Sequence, residues 1–436
     1  MSSVIIASVP VHGHVAPLLP IARALVERGD DVRFLTGSRF ADAVKATGAR
    51  HVALRDDADF DDRIVTSLFP ERERLSPVKA IPFDIEHIFI RPGLTQHAAL
   101  RALLDEHPAD AVVCDPLFVG AAVLAELPAS ARPPVVVAGV VPLSYPGPGL
   151  APYGLGLAPL AGPAGAVRNA VLRAATRSLF RGVDSAGREV TRRAVGREPS
   201  SSIMTWLPRA DAIAQLTVRE FEYPRPHAPE SLVFTGPVGT SDVSRHELPS
   251  WWPQLERARR VVHVTQGTIA NDDLGELVRP TIDAFAGSDT FVAVATGGVP
   301  VASLGTLPAN VGAAEFLPYD LLLPRTDAFV TNGGYGGTQF ALRHGVPIVV
   351  APGKEDKTEV AARVAWSGVG VNLRRMTPRP GEIRSAVERV LGDPRHRRAA
   401  GRIAAAMAQA PGTAGVTAVI DDAIARHARA GAVPAA

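Results

Sequence analysis

The chain has a single cysteine in 436 residues, so no internal disulfide can form and nothing in it calls for an oxidising compartment. A cytoplasmic location is expected. Neither sign of charge is in excess: Lys plus Arg number 46 and Asp plus Glu 44, a net charge of +2. A polyanion is held by displacing counterions with a surplus of basic groups, and without that surplus no nucleic-acid partner is expected. Long apolar runs are also missing. The longest beyond the N-terminus, Val112 to Leu127, is broken by Asp115 and Pro116, well short of the ~20 unbroken residues a bilayer span needs. Met1–Pro10 has no basic n-region, and its apolar stretch gives way at once to His12 and His14, so neither a signal peptide nor stable membrane insertion is expected. The first strand is followed by no G-x-G-x-x-G fingerprint and no P-loop lysine motif occurs, which argues against dinucleotide oxidoreductases and P-loop kinases.

What is present is alternation. Val4–Val9 is an apolar run of strand length, after which Leu18, Ile21, Ala22 and Leu25 recur at helical spacing until Gly29. Further strands are expected at Val32–Leu35, His51–Leu54, Ala111–Cys114 and Val135–Val141, with helices between them. Strands alternating with helices imply a parallel sheet covered on both faces. Residues 144–165 are rich in Pro and Gly yet apolar, as in a loop lining a greasy cavity. Helical patterns follow from Ala166 to Val195, carrying Arg168, Arg173, Arg177, Arg181, Arg188, Arg192 and Arg193 as a solvated face. Periodicity fails from Arg219 to Trp252 among five prolines. A second series follows: Val261–Thr265, Phe291–Ala295, Ala313–Phe316, Ala328–Thr331, Ile348–Ala351 and Gly370–Leu373. Length and pattern together predict two Rossmann-like, doubly wound α/β domains with parallel sheets, facing each other across a cleft. The expected boundaries are 1–222 for the first domain, 223–252 for the linker and 253–413 for the second domain. A helix within 414–436 should pack back on the first domain.

In an open parallel sheet, ligands bind beyond the carboxyl ends of the strands. The loop Pro10–Pro17 places His12 and His14 at the tip of the first strand, and a neutral imidazole there suits a general base. We assign that role to His14 and a loop-shaping role to His12. Asp115, leaving the strand Ala111–Cys114, could hold the second ring nitrogen of such a histidine. Asp is also a common helix cap, so the spacing leaves both roles open. Cys114 reads as a buried strand residue. In Thr331–Gln339, four glycines within five residues (Gly333, Gly334, Gly336, Gly337) stand between a strand and a helix. Such a stretch exposes backbone amides beside a helix N-terminus and forms an anion cradle; a turn that serves only close packing is the alternative. Thr265–Thr268 adds hydroxyls to the same crevice, and Lys354–Lys357 adds polar groups. The run Asp56, Asp57, Asp59, Asp61, Asp62 has no histidine partner and reads as a solvated acidic stretch, with no metal site expected.

Together these segments resemble the family-one, nucleotide-sugar-dependent glycosyltransferases of the GT-B fold, in the bacterial macrolide-type branch. VPVHGHVAPLLPIARALVERGDDVRFLTG is similar to the family's opening strand, histidine loop and helix, and AVVCDPLFVGAAVLAE to the segment with the partner aspartate. EFLPYDLLLPRTDAFVTNGGYGGTQFALRHGVPIVVAPGKEDKTEVAARV resembles the donor-binding signature. The resemblance implies that Phe316 and Leu317 contact the nucleobase, that Thr268 and Gly333–Gly337 (with Tyr335 between the glycines) hold the diphosphate, and that Asp356 and Lys357 hold the sugar. Three positions depart from the pattern. Asn332 stands where a histidine is usual, Phe340 where a ribose-binding glutamate is usual, and Lys357 where a glutamine is usual; Gln339 is then a candidate for part of the ribose contact.

The implied activity is an inverting, metal-independent transfer of sugar from a UDP- or dTDP-linked donor to a hydroxyl of a hydrophobic polyketide, phenol or lipid alcohol. The nucleotide sugar is a co-substrate and no cofactor is expected. The segment 144–165 and Phe83–Phe89 are the expected apolar acceptor contacts. Two alternatives stay open from the sequence: a nucleotide-sugar epimerase or isomerase on the same scaffold, and a silent partner of another transferase.

Overall fold

The computed structural model describes the chain apart from residues 65–67, 240–246, 269–270, 272, 354–355 and 432–436. Lys354 and Glu355, part of the expected linker and the last residues of the C-terminal segment therefore lie outside the described residues.

Two parallel sheets organise the described residues. The first contains β1 (Ser3–Ala7), β2 (Asp31–Thr36), β3 (Arg50–Ala53), β4 (Ala111–Cys114), β5 (Val135–Gly139), β6 (Ala212–Gln215) and β7 (Leu232–Phe234), in the order β3-β2-β1-β4-β5-β6-β7. The second contains β8 (Arg260–Thr265), β9 (Thr290–Ala295), β10 (Val311–Ala314), β11 (Ala328–Thr331), β12 (Ile348–Val350) and β13 (Gly370–Asn372), in the order β10-β9-β8-β11-β12-β13. Every pairing is parallel. Covered on both faces, the central strands are apolar along their length, and β4, β5 and β11 are buried throughout. The expected GT-B architecture of two doubly wound domains is the one observed.

Two strands differ from the sequence reading. β6 was not anticipated, and β7 falls inside the segment 223–252 taken as linker although it pairs with β6 as the edge of the first sheet. A three-residue edge strand between Pro229 and Pro237 is too short to show alternation, and proline is tolerated at an edge. The first domain therefore extends past Phe234.

The chain's last helix, Thr413–Gly431, lies on the first sheet. Val416, Val419, Ile420 and Ala423 are buried among Val4, Ile6, Ile21, Leu25 and Val113, and Arg28 clamps Asp421 through two hydrogen bonds of 2.7 and 3.0 Å. Among the described residues no single helix is long and apolar enough to cross a membrane.

The floor of the second domain contains a buried histidine. His263, in β8, donates from Nδ1 to the Ala293 carbonyl (2.9 Å), lies 3.3 Å from the Tyr319 hydroxyl through Nε2 and stacks on Phe329. Burial lowers its pKa from 6.5 to about 4. The unfolded chain then takes up a proton below pH 6.5 that the folded chain refuses until about pH 4, so the His263 contribution to stability is complete above pH 6.5 and is lost as the pH falls toward 4. The full loss corresponds to roughly 3 kcal/mol. Urea unfolding of wild type and His263→Gln at pH 7.5 and pH 4.5 should show wild type losing more stability on acidification than the variant. Parallel losses would refute the assignment.

Candidate active site

The site begins where β1 and β4 run side by side, Ala7 opposite Cys114. Beyond these ends the chain turns in two places at once. Val11–Val15 winds into the short helix His12–Val15, and Asp115 leaves β4 fully buried. Asp115 Oδ1 lies 2.9 Å from His14 Nδ1 and accepts the Leu117 amide at 2.7 Å; Oδ2 accepts the Val9 amide at 2.8 Å. A carboxylate can only accept, so the facing His14 nitrogen carries the proton and the neutral ring's lone pair sits on Nε2. Both readings of Asp115 are thus realised in part: it orients the imidazole and also ties the turn into the helix Val119–Leu124, although the residue at the helix cap is Phe118.

His12 has a different environment. Its side chain is exposed, and desolvation by neighbouring atoms and then the Arg39 guanidinium lower its pKa. Its backbone amide donates to Asp62 Oδ2 at 2.7 Å, and Asp62 is in turn paired with Arg39. Asp62 is only 5% exposed, which corrects the reading of this acidic run as solvated throughout. Asp59 accepts the Ser38 amide and Asp57 the Thr95 hydroxyl, so the run staples loops together. The signal available in the sequence was its density between elements; the donors that pair with it were not visible there. Cys114 is buried, and burial followed by Asp115 pushes its thiol well up, as for an inert strand residue.

The glycine-rich turn leaves β11 at Thr331. Gly333 has φ +92°, a left-handed conformation that strains any side chain, and donates its amide to Thr331 Oγ1 at 3.2 Å. Gly334 precedes the helix Tyr335–Arg343 with no side-chain cap, so the first turn presents the backbone of Tyr335, Gly336 and Gly337. A side chain at Gly336 would meet nothing within 4 Å, whereas Gly337 backs onto Phe329. The turn therefore combines an open cradle with one packing glycine. Asn332 donates to the Gln266 carbonyl at 2.5 Å, which occupies one of its two amide hydrogens. Thr268 is exposed on the loop after β8. Lys357 is 7% exposed, with its backbone and stem against Gly333 and Gly353. Asp356 stands at the cap of the helix Lys357–Trp366, so the start of that helix lies beside the glycine turn.

Other expected contacts are placed differently. Phe316 is half exposed beside Gly298, but the Leu317 side chain is buried with Trp252 and Leu322. Gln339 is buried, and its carbonyl oxygen accepts from Thr217 of the first domain at 3.0 Å. That oxygen is engaged by the other domain, so Gln339 does not replace the missing ribose-binding glutamate through it. The Tyr335 hydroxyl likewise accepts from Gln215 at 3.3 Å, and burial, then Glu222, raise its pKa above the usual range. Phe340 packs on Tyr319 and under Arg343. On the acceptor side, Phe83 stacks on His87 with ring centres 4.0 Å apart, and Phe69 meets both edge-on. The side chains at the start of the donor helix thus form the seam between the domains: Gln215 ends β6 and Tyr335 follows β11, so the carboxyl ends of both sheets turn toward one cleft.

The model of the erythromycin biosynthesis protein CIII-like C-terminal domain matches residues 279–422. The chain is 41% identical over 409 residues to 4'-demethylrebeccamycin synthase of Lentzea aerocolonigenes, covering 92% of this chain and 94% of that protein. It is 34% identical to UDP-glycosyltransferase 2 of Phaeomoniella chlamydospora, with 90% of each covered. Among solved structures, the calicheamicin glycosyltransferase CalG4 superposes with a TM-score of 0.74 over 98% of this chain and 99% of its own at 22% identity, a likeness of fold. Paired sheets, a histidine–aspartate couple at one sheet end and a glycine cradle at the other agree with these matches over nearly the whole length: the chain belongs to the family-one nucleotide-sugar-dependent glycosyltransferases of the GT-B fold.

Proposed function

We propose that the protein transfers a sugar from a UDP- or dTDP-linked donor to a hydroxyl of a hydrophobic small molecule, with inversion at the anomeric carbon. The observation that carries this reading is the 2.9 Å contact between His14 Nδ1 and a fully buried Asp115. That contact directs the lone pair of Nε2 away from the protein's own carboxylate, where it can take the acceptor's proton. The acceptor oxygen then bonds to the anomeric carbon while the bond from that carbon to the diphosphate oxygen breaks, and the nucleoside diphosphate departs with the electron pair. The imidazolium formed at His14 is stabilised by Asp115. Negative charge grows on the leaving diphosphate, where the amides of Gly334 to Gly337, the Thr268 hydroxyl and the second amide hydrogen of Asn332 receive it. No step in this reading is assigned to a metal. Phe316 offers a ring to the nucleobase, and Asp356 and Lys357 take the sugar hydroxyls.

The relatives support a natural-product acceptor: rebeccamycin, erythromycin and calicheamicin are named for the matched proteins. The test is a mass-spectrometric screen of UDP- and dTDP-sugars against apolar phenols and polyketides. New glycosides are expected. A donor whose sugar is altered with no acceptor present would instead favour an epimerase.

General-base catalysis contributes about 10²- to 10⁴-fold. His14→Ala should lower kcat by that range and leave nucleotide affinity, measured by calorimetry, within twofold. Wild-type turnover in this variant would remove His14 from the mechanism.

Asp115→Asn keeps the shape but replaces one accepting oxygen with a donor, so the His14, Leu117 and Val9 N–H groups compete for a single oxygen. A buried donor left unsatisfied costs about 1–3 kcal/mol. We expect a lower melting temperature together with reduced kcat. Loss of activity at full stability would separate the two roles and overturn the shared one.

Gly333→Ala places a Cβ at a φ of +92° and 3.1 Å from the Lys357 carbonyl oxygen. Weaker binding of UDP or dTDP by about tenfold or more is expected, with acceptor affinity kept. Unchanged nucleotide affinity would show that the turn is not the diphosphate site.

A further inference from the structure

The Pro/Gly segment that leaves β5 crosses to the second domain and is fastened there at two points. At its root, Arg225 Nε donates to the Tyr145 carbonyl at 2.9 Å and Nη2 to the Leu143 carbonyl at 2.7 Å. Arg363, from the second domain, donates to the same Leu143 carbonyl at 3.1 Å. At its tip, the amides of Gly154 and Gly156 each donate to Glu359 Oε1 at 2.9 Å, and Thr358 Oγ1 donates to the Gly154 carbonyl at 3.3 Å.

The two fastenings share one buried ion cluster. Glu359 Oε2 is 2.8 Å from Arg363 Nη1, and Arg363 Nε is 3.0 Å from Glu222 Oε2, which Arg225 approaches at 3.3 Å. Two carboxylates thus balance two guanidiniums, all four side chains nearly buried. Such a cluster contributes little net stability but is costly to leave half-made, which makes it a device for register rather than for stability.

The place where the tip lands is informative. Thr358 and Glu359 sit in the first turn of the helix Lys357–Trp366, immediately after Asp356 and Lys357. Gly156, at φ +60°, passes so close that a side chain would lie 2.8 Å from the Thr358 carbonyl oxygen. Burial, and then the Asp356 carboxylate, push the Tyr153 phenol well above its ordinary range; the rest of that side chain reaches solvent. Leu155, Leu157 and Leu160 follow with about two-fifths of their surface exposed, at 38%, 38% and 40%. The strap therefore brings one phenol and a row of apolar side chains to the turn that holds the candidate sugar contacts.

We propose that the segment 143–161 is a wall of the acceptor pocket held in register by the donor-binding domain, with Glu359 as the positioning residue and an apolar aglycone as the molecule that leans on it. This rests on the transferase reading above. Acceptor fit is then set from the sugar-binding helix through two glycine amides.

The experiment compares wild type with Glu359→Ala, Glu359→Gln and Gly156→Ala, each first checked by thermal melting. In hydrogen–deuterium exchange without ligand, peptides spanning residues 150–160 should exchange at least tenfold faster in Glu359→Ala and Gly156→Ala. Glu359→Gln keeps an amide oxygen for the two glycine N–H groups and should retain much of the protection. In steady-state transfer to an apolar phenol, the alanine variants should raise the acceptor KM about tenfold or more with the donor KM within twofold, and Glu359→Gln should restore most of the loss. Unchanged exchange in Glu359→Ala overturns the strap, and faster exchange with acceptor KM unaltered overturns its role in acceptor recognition. A wild type that transfers no sugar, with the exchange difference intact, overturns the transferase reading instead.

Discussion

A carboxylate removed from water needs hydrogen-bond donors, and Asp115 obtains them from three directions: one backbone amide beyond β1, one beyond β4 and one imidazole. Much of the candidate active site follows from that requirement. Adjacent parallel strands end at the same level, so a carboxylate leaving one strand finds the amides of the turn leaving the other. With both turns tied to a single side chain, the ring of His14 has its tautomer and tilt set by strands β1 and β4. The helix that carries His14 is four residues long and would not hold a side chain in place by itself. Asp62, beneath the His12 amide, anchors the other end of that helix.

The second domain repeats the logic with backbone in place of side chains. β11 ends in a hydroxyl that takes up the amide of a left-handed glycine, and the helix behind it opens without a side-chain cap. The polar side chains of its first two turns are turned to a different purpose. Tyr335 and Gln339 reach the ends of the first sheet, so the face of the helix away from the cradle fixes how the two sheets meet. A change in the geometry of the glycine turn would be felt at this seam, since one helix carries both.

Much of this was legible beforehand because it lies in long apolar strands and the loops directly after them. Ala111–Cys114 and Ala328–Thr331 were read to the residue, and the positions following them supplied Asp115 and the cradle. Elements without a pattern were missed. β6, an Ala-Ile-Ala-Gln strand, and β7, three residues between prolines, have too few side chains to alternate. Gln339 and Leu317 were assigned by sequence position to the nucleotide, whereas packing turned one toward Thr217 and the other into the core. Position along a helix says which residues are near a ligand, but the neighbouring domain decides which face they present. Asp62 was read as solvent-facing because the acidic run lies in a loop between elements with no histidine partner; Arg39 and the His12 amide, distant in sequence or invisible in it, are the donors that allow it to be buried.

The helix Thr413–Gly431 has a consequence for how the molecule is made. Its residues Val416, Val419 and Ile420 complete a core that residues 4 to 44 share with Ala111, Val113, Val136, Ala138, Ala212 and Ala214. Residues 4 to 44 thus share their core with a helix that follows a whole second domain in the chain. Until that helix docks, one face of the β1 and β2 layer stays uncovered, the kind of transient apolar surface that is prone to aggregate.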